Sequence, residues 1–333
     1  MQGIINSLLR PSAYPHPAEK IRLIQTHISF VFLAGKFVYK IKKPVKFSFL
    51  DFSTPAKRKF YCKEEAKLNN RLSKGLYLGV VPITKSAGGF KIGGKGKAVE
   101  FAVKMKQLPE DKKMDFLLRR NRVSEKQIRE IAQIIAEFHS KAATIRDMHF
   151  SSPEQIWLKI SDLNSVKKTV KKYAGKKYAG KIGIVLSRCS KFISANKKFL
   201  EQRQKQGRIK DCHGDLHSGN IFLSDKTYIF DCIEFNKDFR FNDVASEIAF
   251  MAMDLDAFRK PKLSNAFVEE YLFRSQDFDA LKLLDFYKCY RANVRAKVNA
   301  LQLMQPLPAK EKRHKIKELK KYLELAEEYS AIF

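Results

Sequence analysis

Residues 211–234 read DCHGDLHSGNIFLSDKTYIFDCIE. His213-Gly214-Asp215 is followed five residues later by Asn220. Two short apolar runs come next, 221–223 and 228–230, joined by a Ser-Asp-Lys-Thr turn, and the second ends on Asp231. Two short strands would put Asn220 before one and Asp231 after the other, so that both side chains meet. Phosphoryl transfer asks for such a set. One carboxylate orients the attacking hydroxyl and takes its proton, while a second carboxylate and a side-chain carbonyl hold Mg²⁺ against the phosphate oxygens. Mg²⁺ is hard and prefers oxygen donors, which suits Asn220 and Asp231 but not the nearby Cys232 and His217.

Upstream, the first hundred residues read mainly as strands. Ile28–Leu33 and Phe37–Ile41 are β-branched and aromatic runs about an Ala34-Gly35-Lys36 turn, a hairpin signal. A helix is predicted over 54–72, with Pro55 in its first turn. Strands are predicted at 78–83 and 99–105, flanking the glycine-rich stretch 88–96. There Gly89 to Lys95 matches GxxxxGK, but Gly96 stands where a phosphate loop needs Ser or Thr, and a strand rather than a helix follows. A hairpin loop is the expectation.

From about Asp111 the character turns helical. Ser124 and Gln127 form a capping box ahead of Ile128, Ile131, Ala132, Ile135 and Phe138 at helical spacing. Residues 166–181 hold a tandem KKYAG, at 171–175 and 176–180, with seven lysines, read as a local duplication in an exposed segment. Helices are predicted again at 281–303 and 310–329. The architecture expected is α+β, with a small β-rich N-lobe over 1–109, a larger mainly helical C-lobe over 110–333, and a cleft between them.

The composition narrows the setting. A hydrophobic fraction of 44% supplies a core, and no stretch is apolar enough for a membrane span. The N-terminus has no charged region or small-residue cleavage site of a secretory signal. Five scattered cysteines without a CxxC pair argue against a disulfide framework or a zinc site, and point to the cytoplasm. Against 35 acidic residues stand 65 Lys and Arg, a net charge of +30 concentrated near 166–181, 197–210 and 310–321. Such a surface attracts polyanions, and weak, sequence-independent nucleic-acid binding is expected of it.

HGDLHSGNIFL followed by IFDCIE resembles the catalytic segment of the aminoglycoside phosphotransferase and choline kinase group, small-molecule relatives of the protein kinases. The chain is most similar to the bacterial aminoglycoside phosphotransferase family enzymes, and the resemblance implies a two-lobed protein-kinase-like fold. Some members carry an additional C-terminal ATP-binding domain; here the chain ends in helices, so only the kinase-like part is expected. HGD stands for the protein-kinase HRD, and Ile233 occupies the place of the DFG glycine. By resemblance, Asp215 is the catalytic base, His213 supports its loop, Asn220 and Asp231 bind Mg²⁺, and Asp243 is the buried aspartate that braces the loop. The N-lobe then supplies a phosphate-binding lysine and its glutamate partner. Lys40 is the first choice and Lys42, on the same strand face at period two, the second; Lys36 and Lys43 read as solvated. Glu65 is preferred to Glu64. Gln25–Ser29 replaces a glycine-rich nucleotide loop. ATP is the expected cofactor with Mg²⁺, its adenine against backbone groups of Lys106, Gln107 and Leu108.

Glu234 is placed either to orient a metal, a water or the substrate, or in a plain salt bridge. Lys288, Arg291 and Arg295 share a helix face at i, i+3, i+7, which suits an anionic substrate group or pairing with acidic neighbours such as Asp254 or Asp256. The expected activity is transfer of the ATP γ-phosphate to a hydroxyl of a small molecule. Polycationic aminoglycosides are an awkward electrostatic match for a +30 protein unless the cleft is locally acidic. The rival expectation is a basic nucleic-acid- or ribosome-associated protein on a kinase-like scaffold.

Overall fold

The computed structural model describes residues 1–47, 49–150 and 152–333. The chain opens with helix α1 (Gln2–Leu8), then strands β1 (Ile21–Gln25), β2 (Ser29–Ala34) and β3 (Phe37–Lys42). A two-residue ladder, β4 (Lys46–Phe47) with β5 (Leu50–Asp51), leads to helix α2 (Pro55–Asn69). Strands β6 (Tyr77–Ser86), β7 (Gly89–Ile92) and β8 (Ala98–Lys106) follow, and then the short helix α3 (Met114–Leu118).

Helices α4 (Glu125–Lys141), α5 (Pro153–Ser161), α6 (Lys167–Ala174), α7 (Lys176–Ala195) and α8 (Lys197–Lys205) come next. Short strands β9 (Ile209–Asp211), β10 (Ile221–Leu223) and β11 (Thr227–Ile229), helix α9 (Lys237–Arg240) and strand β12 (Phe241–Asp243) carry the quoted motif. The chain closes with α10 (Val244–Ala257), α11 (Pro261–Ser275), α12 (Leu281–Leu303) and α13 (Ala309–Ser330). No helix among the described residues is long and apolar enough to cross a membrane.

Two compact units result. One comprises Met1–Leu117 with Gly219–Arg240, the other Leu118–Ser218 with Phe241–Phe333. The β10–β11 hairpin, expected with the helical part, therefore packs with the strands.

The first unit is built on an antiparallel sheet of order β1-β2-β3-β8-β6-β7. The predicted β2–β3 hairpin closes at Gly35, where φ is 63° and an added Cβ would fall 2.8 Å from the Pro17 carbonyl oxygen. Along β3 the side chains alternate. Tyr39 and Ile41 join Phe32, Ile83 and Leu8 in a core under α1. Val38 lies on the opposite face, against a second cluster of Cys62, Leu76, Tyr77, Val103, Met105 and Tyr228. Helix α2 starts as predicted, with the Thr54 hydroxyl accepting from Lys57 N–H and Pro55 in the first turn, but it ends at Asn69, short of the predicted 72. The GxxxxGK match falls on the β7 strand and the loop to β8, pairing with β6 as a hairpin rather than cradling phosphate.

In the second unit, the capping box of α4 forms as read, and Ile128, Ile131, Ala132, Ile135 and Phe138 are buried. Arg203 of α8, fully buried, makes paired bonds to Asp243 at 2.6 and 2.9 Å and to Asp277 at 2.6 and 2.9 Å. Asp243 also caps α10 by accepting from Ala245 N–H at 2.8 Å. Through β12, which pairs with β9, it fixes the strand that runs into the HGD loop. Asp243 is buried, as expected.

Candidate active site

In the first unit, positions far apart in sequence converge. Lys40 and Lys42 project from the same face of β3 toward α2. Lys40 Nζ lies 2.8 Å from Glu65 Oε1 and 2.5 Å from Asp231 Oδ1. Lys42 Nζ lies 2.8 Å from Glu65 Oε2 and also pairs with Glu234. Glu65 thus bridges both lysines, and depth separates their roles. The Lys42 side chain is sealed at 0% exposure, whereas Lys40 keeps 13% and its partner Asp231 43%. Glu234 is occupied by Lys42, the salt-bridge reading of that residue.

The electrostatics follow from burial against pairing. Burial pushes the Lys40 ammonium down, but Asp231, Glu65 and Glu234 outweigh it and hold it well above its ordinary value. Burial pushes the Glu65 carboxyl up, and the two lysines overcome it, bringing it down to about 2. For Glu234 burial prevails over Lys42, and its carboxyl is raised.

Asp231 follows β11 with φ at 63°, a left-handed backbone that costs a non-glycine residue strain and is found at functional positions. Its amide donates to the buried Tyr77 hydroxyl at 3.2 Å, and the next amide, of Cys232, donates to Asn69 Oδ1 at 2.8 Å. Asn220 immediately precedes β10. Phe230 N–H donates to its carbonyl at 3.0 Å, so the ladder sets Asn220 across from the residue before Asp231. At the expected adenine-binding segment, Lys106 N–H donates to Leu76 O and Gln107 N–H to Lys36 O, each at 2.9 Å. Those two amides serve the fold itself, and Leu108 lines the apolar cluster with Val38, Phe222 and Phe230.

The HGD loop belongs to the second unit and is held mainly through its backbone. Glu247 accepts from His213 N–H at 2.8 Å and from Gly214 N–H at 3.0 Å, and Asp254 accepts from Ser218 N–H at 2.9 Å. Gly214 takes φ 88°. His213 is fully buried and its Nδ1 accepts from Asp215 N–H at 3.3 Å, a supporting position. His217 Nε2 stands 3.4 Å from Asp215 Oδ2 and 3.3 Å from Arg295 Nη1. Burial pushes the Asp215 carboxyl up, but His217, Arg295 and His213 hold it well below the usual carboxylate range.

The cationic face of α12 is used internally. Lys288 pairs with Asp256 at 3.1 Å. Arg291, 3% exposed, donates to Gly214 O and Ser246 O, each at 3.1 Å, and braces the loop instead of facing a ligand. Glu247 is not singled out by the sequence, Asp254 is expected there only as a partner for the α12 cations, and His217 only as a poor Mg²⁺ ligand. Glu247 stands one helical turn after Asp243, a spacing that could have revealed it.

With the sheet, the α2 glutamate and the HGD loop in place, the fold is the protein-kinase-like one, a β-sheet lobe and a mainly helical lobe. An ethanolamine kinase of Plasmodium vivax shares it at 13% sequence identity, covering 91% of this chain and 81% of that one with a TM-score of 0.50. A choline/ethanolamine kinase family protein of Mesorhizobium loti is 13% identical, covering 98% of each chain, with a TM-score of 0.47. At 13% identity the likeness to the Plasmodium vivax enzyme is one of fold alone. Uncharacterised proteins of Mycobacterium tuberculosis and Mycobacterium bovis are 31% identical over 286 residues, 85% of this chain and 55% of theirs. The chain therefore spans about half the length of the curated relatives it matches. No family model matches.

Proposed function

We propose that the chain is a kinase that transfers the γ-phosphate of ATP to a hydroxyl of a small molecule, in the cytoplasm. The observation that carries this reading is the cluster of Lys40, Glu65 and Asp231, joined at 2.8 and 2.5 Å. An ammonium clamped by a buried carboxylate is a positioned receptor for the α- and β-phosphate oxygens. A partly exposed aspartate beside it, with the Asn220 amide next along the hairpin, is a donor set of hard oxygens that fits Mg²⁺. When bound, that ion neutralises phosphate charge.

Asp215 orients the acceptor hydroxyl. Its low pKa keeps it ionised at neutral pH and makes it a weak base, so it takes the proton only as the oxygen–phosphorus bond forms. Glu247 and Arg291 keep the loop that carries it from shifting, and Glu65 keeps Lys40 extended.

One pair of variants tests the reading. Mg·ATP should raise the melting temperature of the wild type. Asp231→Asn should lose the Mg²⁺-dependent part of that rise. Asp215→Asn should keep it, while acceptor phosphorylation, or basal ATP hydrolysis, falls by about 10²–10⁴. Unchanged Mg·ATP stabilisation in Asp231→Asn removes the metal assignment, and near-wild-type turnover in Asp215→Asn removes the base.

A further inference from the structure

The proposed phosphoryl transfer assigns no role to the tandem KKYAG. In the structure it forms the end of one helix and the start of the next: α6 closes at Ala174, Gly175 takes φ 97°, and α7 opens at Lys176. Each copy offers a tyrosine to α13. Lys312 Nζ lies 5.0 Å from the Tyr173 ring centre and Lys320 Nζ 5.2 Å from that of Tyr178. The two α13 lysines are eight residues apart, about 12 Å along a helix, so one straight helix receives both copies. The Tyr178 hydroxyl donates to Glu324 at 2.6 Å and Lys181 pairs with Glu327, which engages two of the carboxylates of α13.

The lysine pairs of the repeat remain on the outside. Lys167, Lys168, Lys171, Lys172, Lys176 and Lys177 are all exposed. From 163 to 200 the chain holds eleven Lys or Arg and no Asp or Glu, so no carboxylate from these helices tempers the field. A lipid surface would call for an apolar edge to insert, but the one buried residue of α6, Val170, turns inward. A nucleic-acid strand calls for repeated cations along its phosphates and for rings beside them, and Tyr173 and Tyr178 are part-exposed among the lysines.

We infer that α6, the start of α7 and α13 form a sequence-independent binding face for the phosphate backbone of single-stranded RNA. The test uses the full chain without nucleotide and a fluorescein-labelled, mixed-sequence 20-nucleotide RNA, read by anisotropy across a NaCl series. Six engaged phosphates give a slope of log K against log salt of about −4, a loss of about 250-fold between 50 and 200 mM. The combined variant Lys171→Gln, Lys172→Gln, Lys176→Gln and Lys177→Gln should bring the slope to about −1 and weaken binding at least about tenfold at 50 mM. Four exposed lysines of the first unit serve as the control, as Lys85→Gln, Lys91→Gln, Lys95→Gln and Lys97→Gln, and should change affinity less than about twofold. All eight positions are exposed, and an unchanged melting temperature verifies folding. Equal losses in both variants, or an unaltered slope in the first, overturn the proposal in favour of diffuse charge. Phosphatidylserine vesicles that displace the RNA, where phosphatidylcholine vesicles do not, overturn it in favour of a membrane face.

Discussion

Glu65 and Glu247 are both fully sealed from solvent, and they secure their units by opposite means. Glu65 gives one oxygen to each of two lysines, and the pairing overcomes burial and keeps the carboxylate charged. Glu247 faces two backbone N–H groups with Arg291 nearby, and there burial prevails, raising its pKa. The difference matches what each place has to do. A cluster of paired charges can exchange partners when a polyphosphate arrives, because each ammonium has more than one carboxylate. A loop held by directed N–H bonds has one geometry, as a residue that must meet a hydroxyl requires.

The largest expected effect breaks the first arrangement. Glu65→Ala leaves two buried ammonium groups short of a partner and should cost about 3–5 kcal/mol in urea unfolding at pH 7. The pH dependence has a definite sign. The folded pKa of Glu65, about 2, lies below the ordinary 4.5, so its stabilisation is complete above pH 4.5 and is lost as pH falls toward 2. Wild type should therefore lose stability through that window more steeply than the variant. A loss below about 1 kcal/mol with an unchanged acid profile would mean that the lysines do not depend on Glu65.

Glu247→Gln tests the second arrangement at a smaller scale. Oε1 accepts from both His213 and Gly214 N–H, so an amide oxygen in its place keeps both bonds and only the second Gly214 contact, at Oε2, is lost, at about 1 kcal/mol. The sign is opposite to that of Glu65. A carboxyl with a raised folded pKa loses stabilisation as pH rises above its ordinary value, and the variant should lack that decline. Turnover should fall with Mg·ATP stabilisation intact, because the loop and not the lysine cluster is disturbed. Lost Mg·ATP stabilisation would show that the two arrangements are not separable.

The quoted stretch, with its HGD part in the second unit and its hairpin in the first, is more legible in the sequence than the partners of either glutamate. His213, Asp215, Asn220 and Asp231 lie within one short stretch, and spacing alone suggests a loop followed by a hairpin. Lys40 and Lys42 share a strand face, so periodicity could not rank them; only depth does, with Glu234 closing over Lys42. The i, i+3, i+7 spacing on α12 gave the face but not its direction, and Arg291 turns to the Gly214 carbonyl. The lysines of the repeat at 171–180 are exposed, as its composition predicts, but the ring contacts with α13 join segments that no local pattern links. Apart from its spacing from Asp243, nothing in the sequence marks Glu247, because its partners are backbone amides, which sequence does not display.

The smallest effect expected is the most exacting for the lysine cluster. Glu64 and Glu65 are neighbours on α2 and differ by about 100° around its axis. The sequence does not fix which one faces β3, because α2 buries a mixed set that includes Arg58, Cys62 and Asn69 as well as apolar residues. In the structure Glu65 is sealed and Glu64 is only half-buried. Glu64→Ala should thus change stability by no more than about 0.5 kcal/mol, as a position away from buried pairs does. Urea unfolding of the two alanine variants side by side decides the matter. If Glu64→Ala loses as much as Glu65→Ala, α2 is rotated by one residue from the orientation described, and the pairing of Lys40 and Lys42 must be redrawn around Glu64.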